Sequence, residues 1–276
     1  MMKKLMMMAL AISVAYVSNG QVKMPDLSPR TTVMQKVGLT NFELEYSRPS
    51  VRDREIFGDL LPYGELWRTG ANKNSMLSFD TDITFGDVEV KAGKYSIYTV
   101  VKEKVWTIYL YEDIENWGTP EKWDTDKVIA EVNVKSNNKA PKQETFSITF
   151  ENIGTSDFDL VFAWDTRKLT VPVSTPSKKM ALASIKSTMN GPSDRDYYAA
   201  ASFYLSEGIN LEKALEYIKK AVEKRGEEAF WYTRKQALIE HELGDNEAAI
   251  KSAKKSLAAA EKANNTSYIK SNKESI

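Results

Sequence analysis

The 276-residue sequence contains no cysteine and a single histidine, His241. Without cysteine there is no disulfide, no thiol nucleophile and no lipid-modified cysteine behind an export signal. One imidazole cannot build a multi-histidine metal site, and a Ser–His–Asp triad would have to run through it. A cation site made of carboxylates alone stays open, because hard cations prefer oxygen ligands. We expect no metal and no cofactor.

The sequence also lacks any charge imbalance. Lysine plus arginine and aspartate plus glutamate each total 38, so no overall field draws the chain to nucleic acid or to an anionic membrane. Hydrophobic residues make up 42% and charged residues 28%, which is an ordinary globular balance. At this length we expect two domains and no nucleic-acid partner.

No hydrophobic run is long enough for a helix that spans a bilayer, and the apolar run at the N-terminus is itself too short. There, Lys3 and Lys4 precede an uncharged apolar run over residues 5–17, followed by the small residues Ser18 and Gly20. This pattern predicts a signal peptide over residues 1–20, cleaved after Gly20, with export to the periplasm or the extracellular space. An uncleaved N-terminal anchor is the alternative.

Residues 21–175 are dominated by apolar residues at every second position, a spacing that predicts strands with one buried face. Eight or nine such segments without a helix between them favour an antiparallel β-sandwich or jelly roll, with a closed barrel as second choice. We expect Gly93 to supply a positive-φ turn. The alternating sets are Phe42, Leu44 and Tyr46; Ile83 and Phe85; Val88 and Val90; Tyr95, Ile97 and Thr99; Trp106, Ile108 and Leu110; Ile129, Val132 and Val134; Phe146, Ile148 and Phe150; Phe158, Leu160, Phe162 and Trp164; and Leu169, Val171 and Val173.

A long irregular segment over residues 46–72 interrupts this alternation, and such loops on a rigid β scaffold often bind ligands. Its arginines could hold a carboxylate or phosphate, and its aromatic rings could stack on a sugar or another flat ligand. The alternative is that the arginines pair with acidic residues of the same segment and hold it to the scaffold. The predicted ligand-binding residues are Arg48, Arg54, Tyr63, Trp67, Arg68 and Asn72.

Two other patterns suggest chemistry. Glu55, Asp59 and Glu65 could supply the carboxylate pair of a glycoside hydrolase, although solvated or structural roles are the alternative. Tyr109 and Tyr111, with Trp117 and Trp123 behind them, could form a carbohydrate platform or instead a second packed face.

Several motifs of the first half resemble domain-of-unknown-function family 2911. They include Tyr46-Ser47-Arg48-Pro49, Pro62-Tyr63-Gly64 and Trp67-Arg68-Thr69-Gly70-Ala71-Asn72. The resemblance implies a secreted bacterial β-rich domain over about residues 22–173 and supplies no mechanism. Asp53 and Lys73 depart from the glycine and the acidic residue common in that family, so the resemblance implies no acid role just after Asn72.

Beyond Pro176 the apolar spacing becomes helical, as at Leu211, Leu215, Ile218 and Val222. Two helix pairs align at offsets of about 34 to 35 residues, so residues 176–262 resemble tetratricopeptide repeats, which are antiparallel helix pairs. We expect a first helix near residues 178–189 and a frayed polar tail over residues 263–276.

The sequence therefore predicts an exported binding or scaffold protein that is not an enzyme. The β-rich domain would bind a small molecule or glycan, and the helical repeat would contact a protein partner. One alternative is a carboxylate-dependent hydrolase acting on glycans. Another is a purely structural role, in which Trp67, Arg68 and Asn72 fix the long connection against the sandwich.

Overall fold

The computed structural model describes residues 24–189 and 191–276. The predicted signal peptide and its cleavage site lie outside the described residues. The chain divides into two compact units, the first ending at Pro176 and the second running Ser177–Ile276. Among the described helices, none is long and apolar enough to cross a membrane.

The first unit consists of two antiparallel β-sheets, as predicted. One sheet has the order β1 (Arg30–Val37), β2 (Thr40–Ser47), β4 (Ser75–Phe79), β7 (Gly93–Val100), β8 (Val105–Tyr111) and β9 (Val128–Lys135), with β3 (Leu66–Trp67) also paired to β7. The other has the order β10 (Gln143–Glu151), β11 (Asp157–Asp165), β12 (Arg167–Ser174), β5 (Ile83–Phe85) and β6 (Val88–Val90).

The inner faces of the two sheets share one hydrophobic core. Phe42 of β2 packs edge-on to Phe158 of β11, with ring centroids 4.9 Å apart. Tyr46 packs similarly against Phe146 at 5.9 Å. These contacts between alternating residues confirm the sandwich, because each strand buries one face against the opposite sheet.

Three strands were not predicted from the sequence, and each has a physical reason. Four of the five residues of β4 are buried, so the strand shows no alternation of apolar and polar positions. In β1 the large apolar side chain of Met34 is 76% exposed, so an apolar residue stands on the face where alternation predicts polar ones. β3 is only two residues long.

The expected role of Gly93 was wrong. Gly93 does not have a positive φ and is instead the first residue of β7. A Cβ at this position would lie 2.8 Å from the hydroxyl of Tyr95, which donates a hydrogen bond to the Lys91 carbonyl at 2.9 Å. The close approach of the Tyr95 ring explains the glycine.

One side of the sandwich is closed by the chain leaving β2. The Phe146 amide donates to the Pro49 carbonyl, and the Val51 amide donates to the Glu144 carbonyl, both at 2.8 Å. Residues 49–51 thereby pair with the outer edge of β10. The opposite side, between β9 and β12, has no continuous ladder in the described structure, so the sandwich does not become a closed barrel.

The described part of the second unit contains six helices. They are α1 (Ser177–Thr188), α2 (Asp194–Ser206), α3 (Leu211–Arg225), α4 (Phe230–Glu242), α5 (Asn246–Lys262) and α6 (Thr266–Ser275). Leu182 and Ile185 of α1 pack on the core of the first pair, as expected. Ser193 caps α2 in a capping box with Asp196, and Gly244, with φ of 82°, makes the turn between α4 and α5.

The helix pairs stack through aromatic and small residues. Tyr198 and Tyr232, which the offset of 34 aligns, are themselves stacked with centroids 4.4 Å apart. Ala214 and Ala221 of α3 are fully buried, which lets neighbouring helices approach closely.

The expectation of a frayed tail was wrong, because residues 266–275 form α6. Asn272 is fully buried and donates to Ser256 Oγ at 2.9 Å, and Ser256 Oγ donates to the Phe230 carbonyl at 2.8 Å. Tyr268 packs against Phe230 at 4.9 Å. This helix is anchored by polar side chains, which an apolar pattern does not reveal.

We predict that Gly70→Ala is more destabilising than Gly64→Ala. Both glycines have positive φ, 148° and 86°, so each substitution strains the backbone by about 1–2 kcal/mol. Only at Gly70 would the new Cβ meet backbone, lying 2.9 Å from the Ser47 carbonyl oxygen, whereas at Gly64 nothing lies within 4 Å. Urea unfolding should show about 1–3 kcal/mol of extra loss at Gly70. Equal losses would contradict the close packing of this segment.

Candidate ligand-binding site

Trp67 anchors the long connection between β2 and β4 in the core. Its ring is 8% exposed and stacks on Trp164 at 5.7 Å with 17° between the ring planes. It also packs against Phe146 at 5.1 Å, and its Nε1 donates to the Gly70 carbonyl at 3.0 Å. The ring predicted to stack on a ligand therefore lies inside the sandwich.

The arginines predicted to bind an anion all donate to backbone carbonyls. Arg48 Nε donates to the Phe146 carbonyl at 3.2 Å. Arg54 donates to Ser50 at 2.6 Å and to Val51 at 3.0 Å, while Arg68 Nη1 donates to the Asn72 carbonyl at 2.9 Å.

These bonds hold the segment in place, those of Arg54 and Arg68 within the segment itself and that of Arg48 to β10. The ion pairs of the described structure join none of these arginines to the acidic residues of the segment, which were the partners expected for a structural role.

Tyr63 lies in a different environment, beside Arg167. Its hydroxyl accepts a hydrogen bond from Arg167 Nη2 at 2.9 Å. The same guanidinium lies 4.8 Å from the centroid of the Phe57 ring and donates to the Glu103 carbonyl at 2.6 Å. Arg167 was not predicted, because it follows the regular rhythm of β12 and only long-range contacts reveal its role.

Of the six predicted residues, the structure brings only Arg68 and Asn72 into direct hydrogen-bonded contact. The side-chain amide of Asn72 also donates to the Ser28 carbonyl at 3.3 Å. The acidic residues Glu55, Asp59 and Glu65 are exposed, so they do not converge beside the buried Trp67 as a glycosidase pair would.

Arg68 contacts a second loop, residues 112–127, which connects β8 to β9. A Cβ on Gly118, whose φ is 100°, would lie 3.2 Å from Arg68 Nη1, so the guanidinium packs directly on the backbone of this loop. The hydroxyl of Tyr98, on β7, donates to the Gly118 carbonyl at 3.0 Å. Two distant parts of the chain therefore fix Gly118 in place.

Aromatic packing fixes the other end of the same loop. Trp123 stacks on Tyr111 at 4.5 Å, with 22° between the planes. It meets Tyr98 edge-on at 5.6 Å and Tyr109 at 5.2 Å. This row is a packed second face of the sheet rather than an exposed platform. Trp117 is the exception, since 74% of it is exposed.

A cleft of about 800 Å³ lies in this loop. Its lining is mainly polar and includes Asp113, Asn116, Trp117, Glu121 and Asp124.

The Asp113 carboxylate accepts hydrogen bonds from the Glu115 amide at 3.1 Å and from Lys127 Nζ at 3.3 Å. These bonds, the amide first, lower the pKa of Asp113, and the same carboxylate raises the pKa of Lys127. Asp113 is therefore ionised at neutral pH and can accept hydrogen bonds from a ligand.

A family model described as "Protein of unknown function (DUF2911)" matches residues 28–173, more than half of the chain. The chain belongs to this family. The DUF2911 match spans the sandwich from just before β1 to Val173 in β12, including both loops that meet at Gly118. The helical unit lies outside the matched residues. A comparison with curated proteins found no match.

We predict that Tyr98→Phe lowers stability and flattens its dependence on alkaline pH. Loss of the hydrogen bond to Gly118 should cost about 1 kcal/mol near neutral pH. Burial, followed by the negative charge of Asp113, raises the pKa of Tyr98 to about 12, against about 10 in an unfolded chain. Its contribution to the free energy of unfolding is thus intact below about pH 10 and lost as the pH rises through 12.

Urea unfolding at several alkaline pH values tests this prediction. The unmodified protein should lose stability more steeply than the Tyr98→Phe variant across that interval. Parallel pH profiles would show that Tyr98 is not buried as described.

Proposed function

We propose that the β-rich unit is a non-enzymatic binding module for a glycan or a similar polyhydroxylated small ligand. The observation that carries this proposal is the exposed indole of Trp117 beside the polar cleft of residues 112–127. An indole held out on an anchored loop offers a flat amphipathic surface on which a ligand can stack.

The chemistry of the cleft fits a sugar. A pyranose ring offers an apolar C–H face and a rim of hydroxyl groups, and an indole provides a flat amphipathic surface for the first. The ionised Asp113 carboxylate, the Asn116 amide and the Asp124 carboxylate supply acceptors and donors for the second. Pockets that fix small ligands commonly combine these two kinds of surface.

The loop also meets the requirement of preorganisation. Gly118, next to Trp117, is held by Tyr98 and Arg68, and Trp123 is stacked on the sheet. Because the backbone is already ordered, little conformational entropy is lost when a ligand binds. Arg68 and Asn72 then lie at the margin of this site. We therefore propose that both residues still affect ligand binding.

Export is the second part of the proposal. It is supported by Lys3 and Lys4, by the apolar run over residues 5–17 and by the small residues up to Gly20. An exported protein would meet glycans in the periplasm or at the cell exterior. Amino-terminal sequencing of the secreted fraction should begin at Gln21. A mature protein that still begins at Met1 would contradict cleavage.

We propose that the helical unit contacts a protein partner. A groove of about 410 Å³ is lined by Ala237, Leu238, Ala249 and Ile250 among others. In the first helix pair the residue aligned with Leu238 is Tyr204, whose ring stacks with Tyr217. Partner capture by the full chain should be lost with Leu238→Asp and kept with the exposed-site control Lys251→Ala. Equal capture by both variants would refute this role.

The hydrolase alternative receives no comparable support, because the acidic residues on which it rests are exposed and do not meet at Trp67.

We predict that Trp117→Ala weakens glycan binding about tenfold or more, since the stacking surface is removed. Stability should change by less than about 0.5 kcal/mol because the side chain is exposed. Titration calorimetry against a panel of neutral and acidic oligosaccharides gives the measurement.

Ile153→Ala is the matched control, because Ile153 is a large apolar residue, 46% exposed, in the turn between β10 and β11. It should bind as the unmodified protein does. If Trp117→Ala and Ile153→Ala bind the same oligosaccharide equally well, Trp117 is not part of the binding surface.

A further inference from the structure

The open side of the sandwich, between β9 and β12, is a cleft of about 800 Å³. It is separate from the loop that carries Trp117. Two contacts bound it. At one end the Asn137 amide donates to the Lys168 carbonyl at 2.8 Å, and the Lys168 amide donates to the Asn137 carbonyl at 3.0 Å. At the other end the Gly86 amide donates to the Pro172 carbonyl at 2.8 Å.

The second end is tightly packed as well as hydrogen-bonded. A Cβ on Gly86 would lie 2.6 Å from Cγ1 of Val132, so the turn between β5 and β6 presses on β9. Between the two ends the strands run past each other without forming a ladder.

Both strands present backbone groups to this cleft. On β12, Lys168 and Pro172 bond away from β11, so strand alternation points the amide and carbonyl of Thr170 in the same direction. On β9, Ser136 bonds toward β8 through the Lys104 carbonyl at 2.9 Å. The same alternation points the backbone groups of Asn133 and Lys135 into the cleft.

Hydrogen bonds among the described residues satisfy none of the amides or carbonyls that Thr170, Asn133 and Lys135 turn toward the cleft. The two strands therefore form facing edges, each of which can accept an added strand.

Acidic and basic side chains lie at opposite ends of the cleft. Asp87 and Glu131 lie at the Gly86 end, whereas Lys135 and Lys168 lie at the Asn137 end. Lys168 already pairs with Glu151 at 2.9 Å. Lys135 has no ion-pair partner among the described residues, which leaves it as the available cation at that end.

We propose that this cleft binds a short extended peptide with free termini. The peptide backbone would pair with the unpaired groups of Thr170, Asn133 and Lys135, independently of its side chains. Its carboxylate would lie toward Lys135 and its ammonium group toward Asp87 and Glu131. The interval from Lys168 to Pro172 is about 13 Å at 3.3 Å per residue, which fits about three or four residues.

Thr170→Pro tests the backbone pairing, with Thr170→Val as the matched control. Proline removes the amide that faces the cleft, while valine keeps it and also suits a strand. Pro172 occupies the same register two residues later, so β12 already accommodates proline facing this edge. Neither change removes a hydrogen bond to β11.

The experiment is titration calorimetry of the full chain with tetra-alanine carrying free termini, and with the same peptide acetylated and amidated. We expect saturable binding of the free peptide, about tenfold weaker binding of the blocked peptide, and about tenfold weaker binding by Thr170→Pro than by Thr170→Val. Hydrogen exchange on the unmodified protein should show the Thr170, Asn133 and Lys135 amides protected by the free peptide, a readout that stands even if Thr170→Pro fails to fold.

Any of four results would overturn the proposal: no saturable binding at millimolar peptide, equal binding by folded Thr170→Pro and Thr170→Val, equal binding of free and blocked peptides, or protection of the same amides by dimerisation of the protein alone.

Discussion

The burial of the Trp67 indole between the two sheets is the interaction on which the first unit depends. This ring packs on Trp164 and Phe146 of one sheet and lies 6.3 Å from Trp106 of the other. A connection as long and as rich in glycine and proline as residues 48–74 has a large conformational entropy to lose. The desolvated indole, with its hydrogen bond to Gly70, offsets part of that cost at a single point.

Fixing Trp67 also fixes its neighbour. Arg68 follows directly, spans to the Asn72 carbonyl and packs on Gly118. The connection thereby positions the loop of residues 112–127 from one side, while Tyr98 and Trp123 position it from the sheet. The proposed glycan cleft is thus built on a rigid base, although its lining residues belong to an irregular loop.

The two sides of the sandwich solve the problem of strand edges differently. Residues 49–51 cover the edge of β10 with main-chain hydrogen bonds. Beside β9 and β12, hydrogen bonds join Asn137 to Lys168 at one end and Gly86 to Pro172 at the other, and charged side chains surround the gap. Charges near an open edge discourage pairing with the strands of other proteins, and the peptide that we propose for this site carries a charge of opposite sign to the side chains at each end.

The sequence was sufficient to predict the architecture, because alternation at positions such as Phe42, Leu44 and Tyr46 reports burial directly. It could not reveal β4, which is buried on both faces, or α6, which is anchored through Asn272 and Ser256.

The site was harder to predict than the fold. Arginine and tryptophan in a long loop suggested exposure, yet Trp67 is in the core and the arginines bind carbonyl groups. Residue types do not show which way a side chain points. The sequence pattern placed Trp117 only as a member of an aromatic row. That Trp117 is exposed while Trp123 is packed depends on the contact between Gly118 and Tyr98, which are 20 positions apart.

The most direct test of this account is hydrogen exchange on a Trp67→Phe variant, which keeps an aromatic ring but loses the Nε1 hydrogen bond and part of the stacking. If Trp67 positions both segments, exchange will be faster in residues 48–74 and in residues 112–127, with β5 and β6 unchanged. Faster exchange confined to residues 48–74 would show that Trp67 does not position the proposed ligand cleft.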